Sequence, residues 1–173
     1  MIRQERPSDY KEVYQLVRTS FSTVYADGEE PDEQDYLNEL REKDVFIPEL
    51  SLVAEHADGT IIGQVVLYKT TIITPQGKLT ELLLSPICVH PDYFRRGIAR
   101  AMVDKALSIA SGMGFKAVFL CGEPAIYKRL GFAPSYCYSI FHKDDAEKIA
   151  EWSMVRELYD GALSGISGTI DTI

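Results

Sequence analysis

The stretch Leu84-Ser85-Pro86-Ile87-Cys88-Val89-His90-Pro91-Asp92-Tyr93-Phe94-Arg95-Arg96-Gly97-Ile98-Ala99 decides how this chain is read. An apolar strand ends, a turn containing Pro91 follows, and two arginines and a glycine open a helix. Ala99, Met102, Val103, Ala106, Leu107 and Ala110 recur at the spacing of one buried helical stripe. The first amides of a helix have no intrahelical partner and sit at the positive end of its dipole, so they bind phosphate readily. Gly97 and Ala99 put no bulk in the way of such an anion. Arg95, Arg96 and Arg100 bring positive charge into a chain of net charge −8. A surface turn with solvated arginines is the bland alternative, and the strand before and helix after argue against it. Neither a G-x-x-x-x-G-K-S/T loop nor a G-x-G-x-x-G turn is present.

On both sides of this segment the pattern is that of one mixed α/β domain over residues 1–173. Upstream, Ser8 or Asp9 can cap a helix bearing Val13, Leu16, Val17 and Phe21, and a second helix is expected over about 31–43. Leu50–His56 and Ile61–Lys69 flank the hairpin signal Ala57-Asp58-Gly59-Thr60. A long strand follows, 79–90, in which Pro86 predicts a bulge or an end. Downstream, 116–121 reads as a strand, and a short helix lies between Pro124 and Gly131. Residues 132–141 read as extended, Asp144 as the cap of a surface helix reaching Trp152, 154–158 as a strand and 161–173 as a Gly- and Ser-rich tail.

Composition sets the class. With 46% hydrophobic and 25% charged residues the chain reads as globular, neither disordered nor membrane-embedded. The acidic balance argues against nucleic acid, and no stretch approaches a membrane span. Met1–Pro7 lacks the apolar run of a signal peptide, so a cytoplasmic location is expected. Cys88, Cys121 and Cys137 have no metal-ligand or disulfide spacing, and all three are expected to be buried, with no metal bound.

The decisive segment resembles the acetyl-CoA motif of the GNAT superfamily, Q/R-x-x-G-x-G/A after a strand and a V-x-P turn. Gly97 and Ala99 fill the small positions, and Phe94 departs from the Q/R position. Ile126-Tyr127-Lys128-Arg129-Leu130-Gly131-Phe132 is similar to that superfamily's F-Y-x-x-x-G-F segment. The likeness covers roughly residues 1–141, and Leu120-Cys121-Gly122-Glu123-Pro124 before the tyrosine, with Met154-Val155-Arg156-Glu157-Leu158 and Gly161-Ala162-Leu163-Ser164-Gly165 further on, resembles the YhbS-like bacterial branch. It implies a mixed, mostly antiparallel central sheet flanked by helices, and transfer of acetyl from acetyl-CoA to an amine by direct attack.

In that chemistry the donor would be held by Ile87, Cys88, Val89, Arg95, Arg96, Gly97, Ile98, Ala99 and Arg100. Pro86 has no N–H, so the amide of Ile87 is the candidate partner of the thioester carbonyl. Tyr127 is the candidate acid, because a phenol of pKa about 10 can protonate a thiolate of conjugate pKa about 8.5. For the base, Glu81, Glu123, His56 and His90 stay open. Asp27, Glu29 and Glu30 could attract a cationic acceptor. The acceptor is a small-molecule or peptide amine, and a homodimer is compatible with the sequence. A catalytically idle acyl-CoA-binding sensor is the alternative function.

Overall fold

The computed structural model describes residues 1–145 and 149–172. They form two compact units, one of Met1–Leu67 with Ser85–Ile109 and one of Tyr68–Leu84 with Ala110–Ile173.

In the first unit, β1 (Ile2–Gln4) pairs antiparallel with β2 (Phe46–Glu55), Arg3 opposite Val53. A hairpin closed by the His56 amide on the Thr60 carbonyl joins β2 to β3 (Ile61–Thr74). Helix α1 (Tyr10–Phe21) buries Val13, Leu16 and Val17, and α2 (Glu33–Arg41) buries Leu37 and Leu40. These are the positions that helical periodicity selects. Phe21 and Tyr36 are only half-buried. The cap of α1 differs from expectation. Asp9 makes no side-chain cap to that helix and closes the preceding 3-10 turn, Pro7–Asp9, by accepting from the Arg6 amide at 2.7 Å.

Strand β4 (Gly77–Val89) runs through Pro86 without ending there, and the Ser85–Pro86 peptide is cis. Helix α3 (Ile98–Gly112) follows. Its Met102 packs so tightly on β3 that a Cβ at Gly63 would lie 2.9 Å from the Met102 methyl. Gly63 therefore faces α3, and Gln64, next along the strand, faces the other way.

In the second unit β4 pairs in parallel with β5 (Ala117–Cys121), Leu82 opposite Val118. The short helix α4 (Pro124–Tyr127) and a 3-10 turn, Lys128–Leu130, end at Gly131 with φ +86°. Strand β5 also pairs antiparallel with β8 (Ser153–Glu157), which carries β6 (Ala133–Pro134). The aromatic segment 132–141 is not continuously extended. A 3-10 turn, Ser135–Tyr138, breaks it before β7 (Ile140–His142). The expected tail is part of the sheet: β9 (Gly168–Ile170) pairs with β3 and β7. Of the helix expected from Asp144 to Trp152, residues 146–148 lie outside the described residues; Lys143–Asp145 form a 3-10 turn and Trp152 lies in a turn. The sheet is mixed and mostly antiparallel, with four α-helices among the described residues. No helix of the described residues is long and apolar enough to cross a membrane.

Candidate active site

The junction of β4 and α3 is built from local constraints. The His90 amide donates to the Ile62 carbonyl at 2.8 Å, fixing the end of β4. Pro91–Tyr93 then form a 3-10 turn, and His90 Nδ1 accepts from the Asp92 amide at 3.2 Å. Arg95 follows with φ +60° and Gly97 with φ +77°. Left-handed and right-handed residues in alternation turn successive backbone N–H groups to one side, a concavity suited to anions. A non-glycine residue held at positive φ is unfavourable, and such residues concentrate at functional sites. A Cβ at Gly97 would meet nothing within 4 Å, so the ground in front of this backbone is open. The first amides of α3, at Ile98, Ala99 and Arg100, lack intrahelical partners by helix geometry.

Side chains around this turn are largely in solvent. Phe94, at the departing motif position, is 50% exposed, so no buried packing role accounts for it. Arg95, Arg96 and Arg100 are exposed. The Arg96 guanidinium donates to the Asp92 carbonyl at 3.1 Å and lies 5.0 Å from the Tyr93 ring. His56 and His90 meet the same ring edge-on, at 5.4 and 6.0 Å. Ile87 is half-buried, whereas Cys88 and Val89 are buried. Burial pushes the Cys88 thiol up to about 12, and the nearby Ser20 side chain and Gln64 backbone offset part of that rise. Cys88 is thus a neutral thiol. The other two cysteines correct the expectation of burial: Cys121 and Cys137 are exposed.

In the second unit, Tyr127 ends α4. Glu123 caps that helix by accepting from the Ala125 amide at 3.3 Å. The Tyr127 ring lies edge-on to Phe132 with centroids 6.2 Å apart, and the Phe132 amide donates to the Tyr127 carbonyl at 3.1 Å. Gly131 turns the chain, and Arg156 donates to the Leu130 carbonyl at 2.8 Å beside it. A Cβ at Gly122 would run into the Tyr127 ring. In the sequence Gly122 stands only as part of the Leu120-Cys121-Gly122-Glu123-Pro124 pattern, which carries no signal of its fit against Tyr127. The Tyr127 hydroxyl makes no hydrogen bond among the described residues, and burial raises its pKa above the ordinary tyrosine value.

Two of the four candidate bases have structural work. Glu81, 2% exposed, accepts from the Lys116 and Ala117 amides at 2.8 and 3.2 Å and so fixes the start of β5. Glu123 is a cap. A separate cavity of about 490 Å³, lined in part by Cys137, Tyr138, Ser139, Glu157 and Leu163, involves none of the candidate catalytic or donor-binding residues. Among the described residues no three His, Cys, Asp or Glu side chains are grouped to hold a metal.

A strand, an anion-seeking turn and a helix in this order define a class, and comparison with known proteins agrees. A family model described as "Acetyltransferase (GNAT) domain" matches residues 1–135, and the chain belongs to that family. It is 31% identical over 172 residues to the "Uncharacterized N-acetyltransferase YhbS" of Escherichia coli strain K12, covering 99% of this chain and 95% of that protein. The crystal structure of the E. coli GNAT family N-acetyltransferase YhbS in complex with CoA aligns with a TM-score of 0.84 at 28% identity, over 100% of this chain and 89% of that one. A GNAT family acetyltransferase from Brucella melitensis, in complex with acetyl-CoA, aligns at 0.75 and 23% identity over 100% of this chain and 95% of that one. The latter likeness is one of fold.

Proposed function

We infer that this protein transfers the acetyl group of acetyl-CoA to a primary amine by direct attack. The observation that carries this reading is the turn before α3, where Arg95 and Gly97 hold left-handed backbone over open ground. That geometry fits a pyrophosphate. The CoA held by the YhbS crystal structure supports the same fit.

Acetyl-CoA supplies an activated thioester. This chain supplies the rest. The amides of Gly97, Ile98 and Ala99, with Arg95, Arg96 and Arg100, take the phosphates. Cys88 and Val89 offer backbone to the pantetheine arm. The Ile87 amide donates to the carbonyl oxygen that gathers negative charge as the amine adds, a contribution made in the transition state. As the C–S bond breaks, Tyr127 gives its phenolic proton to the departing sulfur, and the proton that the amine nitrogen loses passes to solvent, from which the phenol is reprotonated. Its raised pKa keeps it protonated through the neutral range, as an acid must be.

The test is release of free thiol from acetyl-CoA with a panel of primary amines, with acetylated product confirmed by mass. Amine-dependent release with product supports the reading. Binding of acetyl-CoA without release from any amine supports an idle acyl-CoA sensor instead.

A further inference from the structure

A residue at an unfavourable φ persists only where its surroundings hold it there. Arg95 needs such a hold, since its φ is +60° and its own side chain is exposed. The residues that flank it supply one. Before it, the Tyr93 amide donates to the His90 carbonyl at 2.9 Å and the Phe94 amide to the Pro91 carbonyl at 3.2 Å. After it, the Arg96 guanidinium reaches back to the Asp92 carbonyl at 3.1 Å and stands over the Tyr93 ring, 5.0 Å from its centre. A guanidinium over a phenol face is attracted by the ring quadrupole, and it carries several N–H groups, so donation to Asp92 leaves donors for an anion. Arg95 is thus bracketed by Tyr93 and Arg96, which hold each other.

Tyr93 is braced in turn from outside the turn. Its half-buried ring meets His90, which follows β4, and His56, at the β2–β3 hairpin, both edge-on and at the separations of favourable aromatic pairs, 6.0 and 5.4 Å. His90 is fixed by its amide on the Ile62 carbonyl and by the Asp92 amide on its Nδ1. His56 is fixed by its amide on the Thr60 carbonyl, and its Nδ1 lies 3.2 Å from Asp58 Oδ1, an oxygen that also accepts from the Thr60 amide at 2.9 Å. One phenol ring therefore ties the hairpin, the end of β4 and the turn before α3 together. Tyr93 stands outside the Q/R-x-x-G-x-G/A spacing, and His56 is far from it in sequence.

We propose that Tyr93 is a positioning residue of the donor site, whose ring, braced by His56, holds the Arg95–Gly97 turn in its anion-binding shape before acetyl-CoA arrives. This rests on the acetyltransferase reading. Tyr93 acts through Arg96 and the backbone of Arg95, with no contact of its own to the phosphates. Without the ring, Arg95 relaxes toward the right-handed region that L-residues favour. Affinity for the cofactor then falls by the fraction of molecules whose turn is still competent. The β2–β3 hairpin thereby becomes part of the donor site.

The experiment titrates CoA into the full-length protein by calorimetry, comparing wild type, Tyr93→Leu and Tyr93→Phe. Tyr93→Leu should weaken CoA about ten-fold, the effect of a turn that is competent about one-tenth of the time, with a thermal melt close to wild type. Tyr93→Phe keeps the ring and should restore wild-type affinity. In an Arg96→Met background Tyr93→Leu should cost little more, because residues in contact that act as a unit are not additive. Should Tyr93→Leu fail to fold, His56→Ala decides: it removes one brace from an exposed hairpin position and should weaken CoA in the same direction. Native affinity in the folded variant, a Tyr93→Phe as weak as Tyr93→Leu, or additive losses with Arg96→Met would overturn the proposal. Absence of CoA binding by wild type would sink the acetyltransferase reading and this proposal with it, whereas wild-type binding matched by Tyr93→Leu sinks the proposal alone.

Discussion

Gly122 lies so close to Tyr127 that one added methyl carbon would overlap the Tyr127 ring. The glycine follows Cys121, the last residue of β5, and its amide donates to the Trp152 carbonyl at 3.0 Å, so the backbone cannot retreat without breaking that bond. The change Gly122→Ala should therefore displace the ring and leave the fold intact. Displacement of a reacting group by about 1 Å can lower kcat by up to about 10²-fold. KM for acetyl-CoA should stay near native, and steady-state kinetics with a thermal melt check both points.

Removing only the hydroxyl is the sharper probe of the same residue. Tyr127→Phe should lower kcat by about 10²–10⁴-fold if the phenol is the acid. The direction with pH follows from burial, which disfavours the phenolate. Wild-type activity should persist to higher pH than an ordinary tyrosine of pKa about 10 allows, then fall as the phenol ionises. The Phe variant should lack that basic limb. Near-native kcat with an unchanged profile would leave solvent as the proton source.

The helical stripe of α3, the hairpin at 57–60 and the Pro124–Gly131 pair were legible because each is a local signal: a period, a turn dipeptide, a cap. β1 and β9 were not. Ile2–Gln4 and Gly168–Ile170 are three residues each, too short for alternation to register, and they are strands because Ala54 and Ile72 lie opposite Ile2 and Ile170. Such pairing is tertiary and leaves little local trace. The same holds at the site. The turn around Gly97 could be found from spacing, but that Glu81 holds two backbone amides, or that His56 meets the Tyr93 ring, depends on what folds against it.

A buried ion pair ties α2 to the first strands. Glu5 and Arg41 have side chains 1% and 3% exposed, and Glu5 also accepts from the Ser51 hydroxyl at 2.7 Å. Glu5→Ala leaves a buried guanidinium without its counter-charge and should cost about 3–5 kcal/mol by denaturant titration. Glu5→Leu with Arg41→Met removes both charges and should recover most of that loss.

Asp9 couples stability to pH. Hydrogen bonding to Arg3 at 2.7 Å, together with the Arg6 amide, holds its pKa below the ordinary carboxylate value. A depressed folded pKa contributes stability above the unfolded value of about 3.9, and that contribution is lost as pH falls through the folded one. Asp9→Asn should be less stable at neutral pH by about 1–3 kcal/mol, and its disadvantage should shrink below about pH 4.

Binding of acetyl-CoA to Gly97→Glu, followed by calorimetry beside wild type, is the most direct measurement of the turn's role. A side chain at φ +77° costs about 1–2 kcal/mol, so the variant should stay folded with a modestly lower melting temperature. Its carboxylate would stand on the open ground where the proposed pyrophosphate would lie. The expected result is one-to-one binding by wild type and none by the folded variant. Equal affinity in the two proteins would contradict the assignment of this turn as the acetyl-CoA cradle.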